Sequence, residues 1–132
     1  MTSKDTITVL RFVPGHHPEI AEIEKSVDAL NKEVSFGSYY ECDAVPLELE
    51  QGIHIVYNQE APLLGLKGNR KVLDKIISGT FLIVATDDDS NITSLTSRMI
   101  NKYAIKYWDI EEYSDDEISY NYFYAPIDAC AM

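Results

Sequence analysis

The sequence predicts an α+β protein, with one mixed or antiparallel sheet of about four to five strands and two helices packed on it. Three observations lead there. The runs ITVLRFV (7–13) and GTFLIVAT (79–86) have the length and β-branched composition of buried strands. Each is followed by a stretch whose apolar residues recur at helical spacing. Hydrophobic residues make up 45% of the 132, enough for a core without covalent staples.

Taken in order, the first strand stops at Pro14-Gly15. HHPEIAEIEKSVDALNKEV then reads as a helix. Pro18 suits its first position, and Glu19 and Glu22 complement the positive end of its dipole. Ile20, Ile23, Val27, Leu30 and Val34 give it one apolar face, and Gly37 ends it. Residues 38–49 and 52–58 read as strands separated by a polar turn, and 59–78 as a loop leading into a short segment of helical character. Residues 79–86 form the most hydrophobic strand, expected at the centre of the sheet. After a turn at DDDSN, Ile92, Leu95, Met99, Tyr103 and Tyr107 line one stripe of a second helix. The organisation expected is a core domain over 1–106 and an acidic, tyrosine-rich extension over 107–132, packed on the same domain.

Charge sets that extension apart. Net charge is −11, and residues 107–132 hold seven carboxylates and no lysine or arginine. Asp109, Glu111, Glu112, Asp115, Asp116 and Glu117 are interleaved with or followed by Tyr113, Tyr120 and Tyr122. A terminal charge run is ordinarily a solvated tail, but disorder-prone segments lack aromatics. SYNYFYAPI has β-forming character, so a last strand at the sheet edge is expected. Carboxylates displayed beside tyrosine anchors suit a basic protein partner.

Several functions find no support. No apolar run approaches the ~18 residues of a membrane span, and MTSKDTITVL has no signal-peptide pattern. Cys42 and Cys130 form no C-x-x-C pair, which points to a reducing, cytoplasmic setting. There is no P-loop, G-x-S-x-G, H-E-x-x-H or dinucleotide fingerprint, so a non-enzyme without cofactor is expected. His54 reads as a core residue, and no spacing makes a zinc site. A calcium loop starting at Asp87 would need glycine and glutamate where Ile92 and Arg98 stand. GLKGNRK (65–71) contains a G-x-x-G beside Lys67, Arg70, Lys71 and Lys75, a pattern that can clamp nucleic-acid backbone. The acidity around it repels a polyanion, so no direct nucleic-acid binding is expected.

VLRFVPGHHPEI, YNQEAPLLGLKGNR and IISGTFLIVAT together resemble the domain-of-unknown-function family 3846, over roughly residues 7–103. Pro14, Gly15 and Pro18 match its first motif, with His16 where lysine is usual. Asn58, Glu60, Leu64, Gly65, Leu66, Asn69 and Arg70 match the second, and Gly79, Thr80 and Phe81 the third. Ala85 replaces its final glycine. The resemblance implies no activity. It implies a setting, among accessory genes of phages and other mobile elements.

Two functions of different class follow. One is a counter-defence inhibitor that covers a basic, nucleic-acid-binding surface of a host defence protein with its acidic face, alone or as a homo-oligomer. The other is a binder of a small, nucleotide-like anion. Its ligands would be His16 and His17, ahead of a helix N-terminus, with Asn69 and Arg70.

Overall fold

A computed structural model describes residues 5–35 and 44–123. Strands β1 (Thr6–Phe12) and β2 (Glu19–Glu24) precede helix α1 (Val27–Val34). Strands β3 (Val45–Glu50), β4 (Ile53–Tyr57), β5 (Gly68–Val72), β6 (Lys75–Ser78), β7 (Phe81–Thr86) and β8 (Ile92–Thr93) follow. Helices α2 (Ser97–Lys106) and α3 (Asp115–Phe123) come last. The class is α+β. The main sheet runs β2-β1-β7-β4-β3 with β8 beside β7, every pairing antiparallel, and β5 and β6 make a separate hairpin.

β7 is central, and five of its six residues are buried because both faces of the sheet are covered. Phe81, Ile83 and Ala85 join Leu10, Phe12, Ile55 and Tyr103 in a core that includes α2 and the β5–β6 hairpin. Leu82 and Val84 pack with Ile7, Val9, Ile23, Leu30 and Val34 under α1. The Phe12 and Phe81 rings stack at 4.5 Å between centroids in the first of these cores.

Four expectations are corrected. Residues 18–34 are not one helix: Glu19–Glu24 fold back on β1 as an antiparallel strand, with Val9 opposite Ala21 and Ile7 opposite Ile23. EIAEIE alternates, so Ala21 and Ile23 face the core while Ile20 is 63% exposed. The turn before it allows the reversal, since Gly15 takes φ +81°. The helix starts only after Ser26, whose hydroxyl accepts from the Ala29 amide, and it leaves Val27 exposed.

Residues 68–78 form the β5–β6 hairpin rather than a helical segment. Leu73 and Asp74 both take positive φ, the twist a two-residue hairpin loop needs. Finally, SYNYFYAPI is not an edge strand as far as Phe123; those residues belong to α3. Ile92 and Leu95 precede α2 instead of lying on it. Gly37, Cys42, residues 38–43 of the second expected strand, and residues 124–132 lie outside the described residues. No helix among the described residues is long and apolar enough to cross a membrane.

Candidate functional site

The acidic segment is built from its start. Ser114 and Glu117 form a reciprocal cap, the Glu117 amide donating to Ser114 Oγ and the Ser114 amide to Glu117 Oε1 (3.1 and 2.9 Å). Asp115, Asp116 and Glu117 occupy the first turn, where negative charge complements the helix dipole. Three positions apart, Ile118 and Asn121 turn inward and are buried. Asn121 clasps the β5–β6 hairpin, accepting from the Ile76 amide (2.8 Å) and donating to the Asp74 carbonyl (2.9 Å). Gly68 makes room: a Cβ there would meet Tyr113 Cδ2 at 3.1 Å and Ile118 Cδ1 at 3.3 Å.

The carboxylates divide by task. Glu111 is half-buried and accepts from the Lys71 amide at 3.0 Å and from the Tyr113 hydroxyl. Burial first, and this bond second, push the Tyr113 hydroxyl up from its ordinary pKa. Glu111 and Asp109 are also the acidic groups whose charge opposes the cost of burying the Arg70 guanidinium. Backbone and side-chain bonds from Ser114 hold Glu117 below the usual carboxylate range. Glu112, Asp115 and Asp116 are exposed and have no hydrogen bond or ion pair among the described residues. Of the tyrosines, Tyr120 is exposed, whereas Tyr122 is half-buried with its ring edge-on to Phe123.

Asn69 and Arg70 are fully buried beneath the surface. Asn69 Nδ2 donates to the carbonyls of Phe12 (2.9 Å) and Gly79 (2.8 Å). Arg70 Nε donates to the Tyr107 carbonyl (2.9 Å), Nη2 to the His16 carbonyl (2.8 Å), and Nη1 to Asn69 O and Oδ1 (3.0 and 2.9 Å). The guanidinium also lies 5.6 Å from the Phe12 ring centroid. Both side chains are committed to fastening the β1–β2 turn, the start of β7 and the end of α2 to one another. They are not placed to take a ligand directly.

His16 and His17 are exposed in that turn, which precedes a strand and not a helix N-terminus. The His17 ring stacks on Trp108 at 4.3 Å, and Nδ1–H donates to the Trp108 carbonyl at 2.7 Å. The two histidines open onto a cleft of about 560 Å³. Its other polar walls among the described residues are Arg11, Glu19, Lys32, Glu33 and Thr80. Arg11 Nε bonds Glu19 at 2.8 Å and Nη1 bonds Glu33 at 2.6 Å, which raises the guanidinium pKa further. Reading by motif marks only Thr80 among these residues, and Glu19 is read as a helix-dipole partner; Lys32 and Glu33 are missed. Arg11 carries a signal of another kind, as a charge inside the apolar run ITVLRFV. His54 is half-buried in β4 and bonds Thr86 Oγ1 at 3.0 Å. No group of three or more His, Cys, Asp or Glu among the described residues could hold a metal ion.

A family model described as Domain of unknown function (DUF3846) matches residues 7–107. No curated protein matches the chain, and no solved structure does.

Proposed function

The chain belongs to the DUF3846 family, a description that names no activity, so we propose a function from the geometry: a non-enzymatic binding protein whose acidic C-terminal face covers a basic surface of a protein partner. The observation that carries this reading is the fixed display of charge. A capped helix, anchored by Ile118 and Asn121, holds Asp115 and Asp116 outward beside Glu112, with no base between residues 107 and 123. Exposed Trp108, Ile110, Tyr120 and Phe123 flank these carboxylates, giving apolar contact area within a charged rim. Carboxylates spaced on a rigid support can take the places of phosphates against lysine and arginine. The partner class is therefore a protein with a nucleic-acid-binding surface. The setting proposed is counter-defence, with a mobile-element accessory protein shielding its element from a host factor.

The carboxylates with structural duties dictate the test. Glu112→Gln, Asp115→Asn and Asp116→Asn together remove three charges and spare Asp109, Glu111 and Glu117. Wild type and variant are compared for proteins captured from host lysate, then for association rate with the captured partner. The variant is expected to associate about tenfold more slowly at low salt, with wild-type binding weakening as salt rises. Equal capture and equal rates for a folded variant would refute the acidic-face reading.

A further inference from the structure

The cleft beside the β1–β2 turn lies apart from the acidic face and carries its own chemistry. Its volume, about 560 Å³, is within the range of small-molecule sites. Thr80 in its wall is 2% exposed, and its hydroxyl is buried with no hydrogen-bond partner among the described residues. A buried hydroxyl left unpaired costs stability, and most such groups in folded proteins are paired. Lys32, exposed on the neighbouring helix, has no ion pair among the described residues. Glu19 and Glu33 each engage Arg11 through Oε1, and among the described residues Oε2 of each has no partner and is open as an acceptor.

Charge decides the ligand class. Two fixed cations, Arg11 and Lys32, face two carboxylates, Glu19 and Glu33. A phosphate dianion would meet both carboxylates as well as Lys32, in a molecule already at −11. A molecule with both signs meets no such penalty. We propose that this cleft binds a small zwitterion of the α-amino-acid type. Its carboxylate pairs with Lys32, its ammonium with the open Glu19 and Glu33 oxygens, and a polar side chain reaches the Thr80 hydroxyl. Asn69 and Arg70 act as positioning residues, because their bonds to the carbonyls of Phe12, Gly79 and His16 hold three walls of the cleft in register.

The protein carries its own reporter. Trp108 is its single tryptophan, and it stacks on His17 at the cleft mouth. The full-length chain is titrated with each free L-amino acid in turn, with adenosine monophosphate and with inorganic phosphate, following Trp108 emission and the thermal midpoint. At least one amino acid is expected to raise the midpoint and change the emission saturably, with no response to the two phosphates. Lys32→Met and Thr80→Val should each weaken that amino acid about tenfold or more. Thr80→Val also separates ligand loss from misfolding. Replacing an unpaired buried hydroxyl by a methyl of the same shape should leave the unliganded midpoint level or higher. Silence to every amino acid at millimolar concentration overturns the proposal. A response to phosphate or the nucleotide alone overturns the ligand class, and undiminished affinity in both variants overturns the site.

Discussion

A single arginine illustrates how a motif can mislead about function while being right about importance. Arg70 lies beside glycines and lysines in a stretch that suggests an anion loop, yet its donors go to the carbonyls of Tyr107, His16 and Asn69. Burial lowers its pKa, and Glu111 and Asp109 oppose that shift. Removing it strands three carbonyls and takes away the cation that Glu111 and Asp109 face. Arg70→Met is expected to cost about 3–5 kcal/mol in a urea melt. Arg70→Lys should recover little, because one ammonium cannot span the His16 and Tyr107 carbonyls as the planar fork does. A midpoint within error of wild type for the lysine variant would contradict this account. Asn69 is legible in the same degree: the motif marks it, but only the fold reveals that its partners are backbone groups of Phe12 and Gly79.

Among the elements, the β1–β2 hairpin separates what periodicity can decide from what it cannot. Ile20, Ile23 and Val27 satisfy a helical stripe, but Ala21 and Ile23 equally satisfy a strand whose other face carries Glu22 and Glu24 beside Ile20. Pairing with β1 decides between them, and that is a non-local interaction absent from any local window. Ile23→Ala is expected to cost about 2–5 kcal/mol. Ile20→Ala, on the outer face, should stay within about 0.5 kcal/mol of wild type. A shared helical face would make both costly, so denaturation of the pair discriminates. The central strand β7 was legible because a run buried on both faces needs no period. Helix α3 was missed because its tyrosines favour strand. What overrides them is the Ser114–Glu117 cap and the three carboxylates of the first turn.

That cap also gives α3 a pH dependence. Ser114 lowers the Glu117 pKa in the folded state, and Lys71 adds to the effect. The stabilisation is therefore complete above the unfolded carboxylate value and is lost as pH falls through the lower, folded one. Amide exchange in α3 should accelerate in that acidic window while β7 stays protected. Ser114→Ala should flatten the acid-side change, and an unchanged profile in that variant would assign the loss to other carboxylates.

On the scale of the whole molecule, charge is unevenly distributed in a way the sequence announced in outline. The concentration of acid after residue 107 is plain from composition, but its division into internal counter-charges and an outward face is not. The family match stops at Tyr107, and that is where the molecule is least separable. The Tyr107 carbonyl is held by Arg70 and the Trp108 carbonyl by His17, while Asp109 and Glu111 oppose the burial cost of Arg70 from beyond that border. A chain ended at residue 107 is therefore expected to melt earlier than the full chain, beyond what losing a peripheral helix would explain. Arg70→Met should cost less in a full chain carrying Asp109→Asn and Glu111→Gln than in the wild type, since both counter-charges have then gone. The extension is thus not freight carried behind a finished domain. A lineage that lost it, or an engineer who transplanted it, would have to rebuild the joint on both sides.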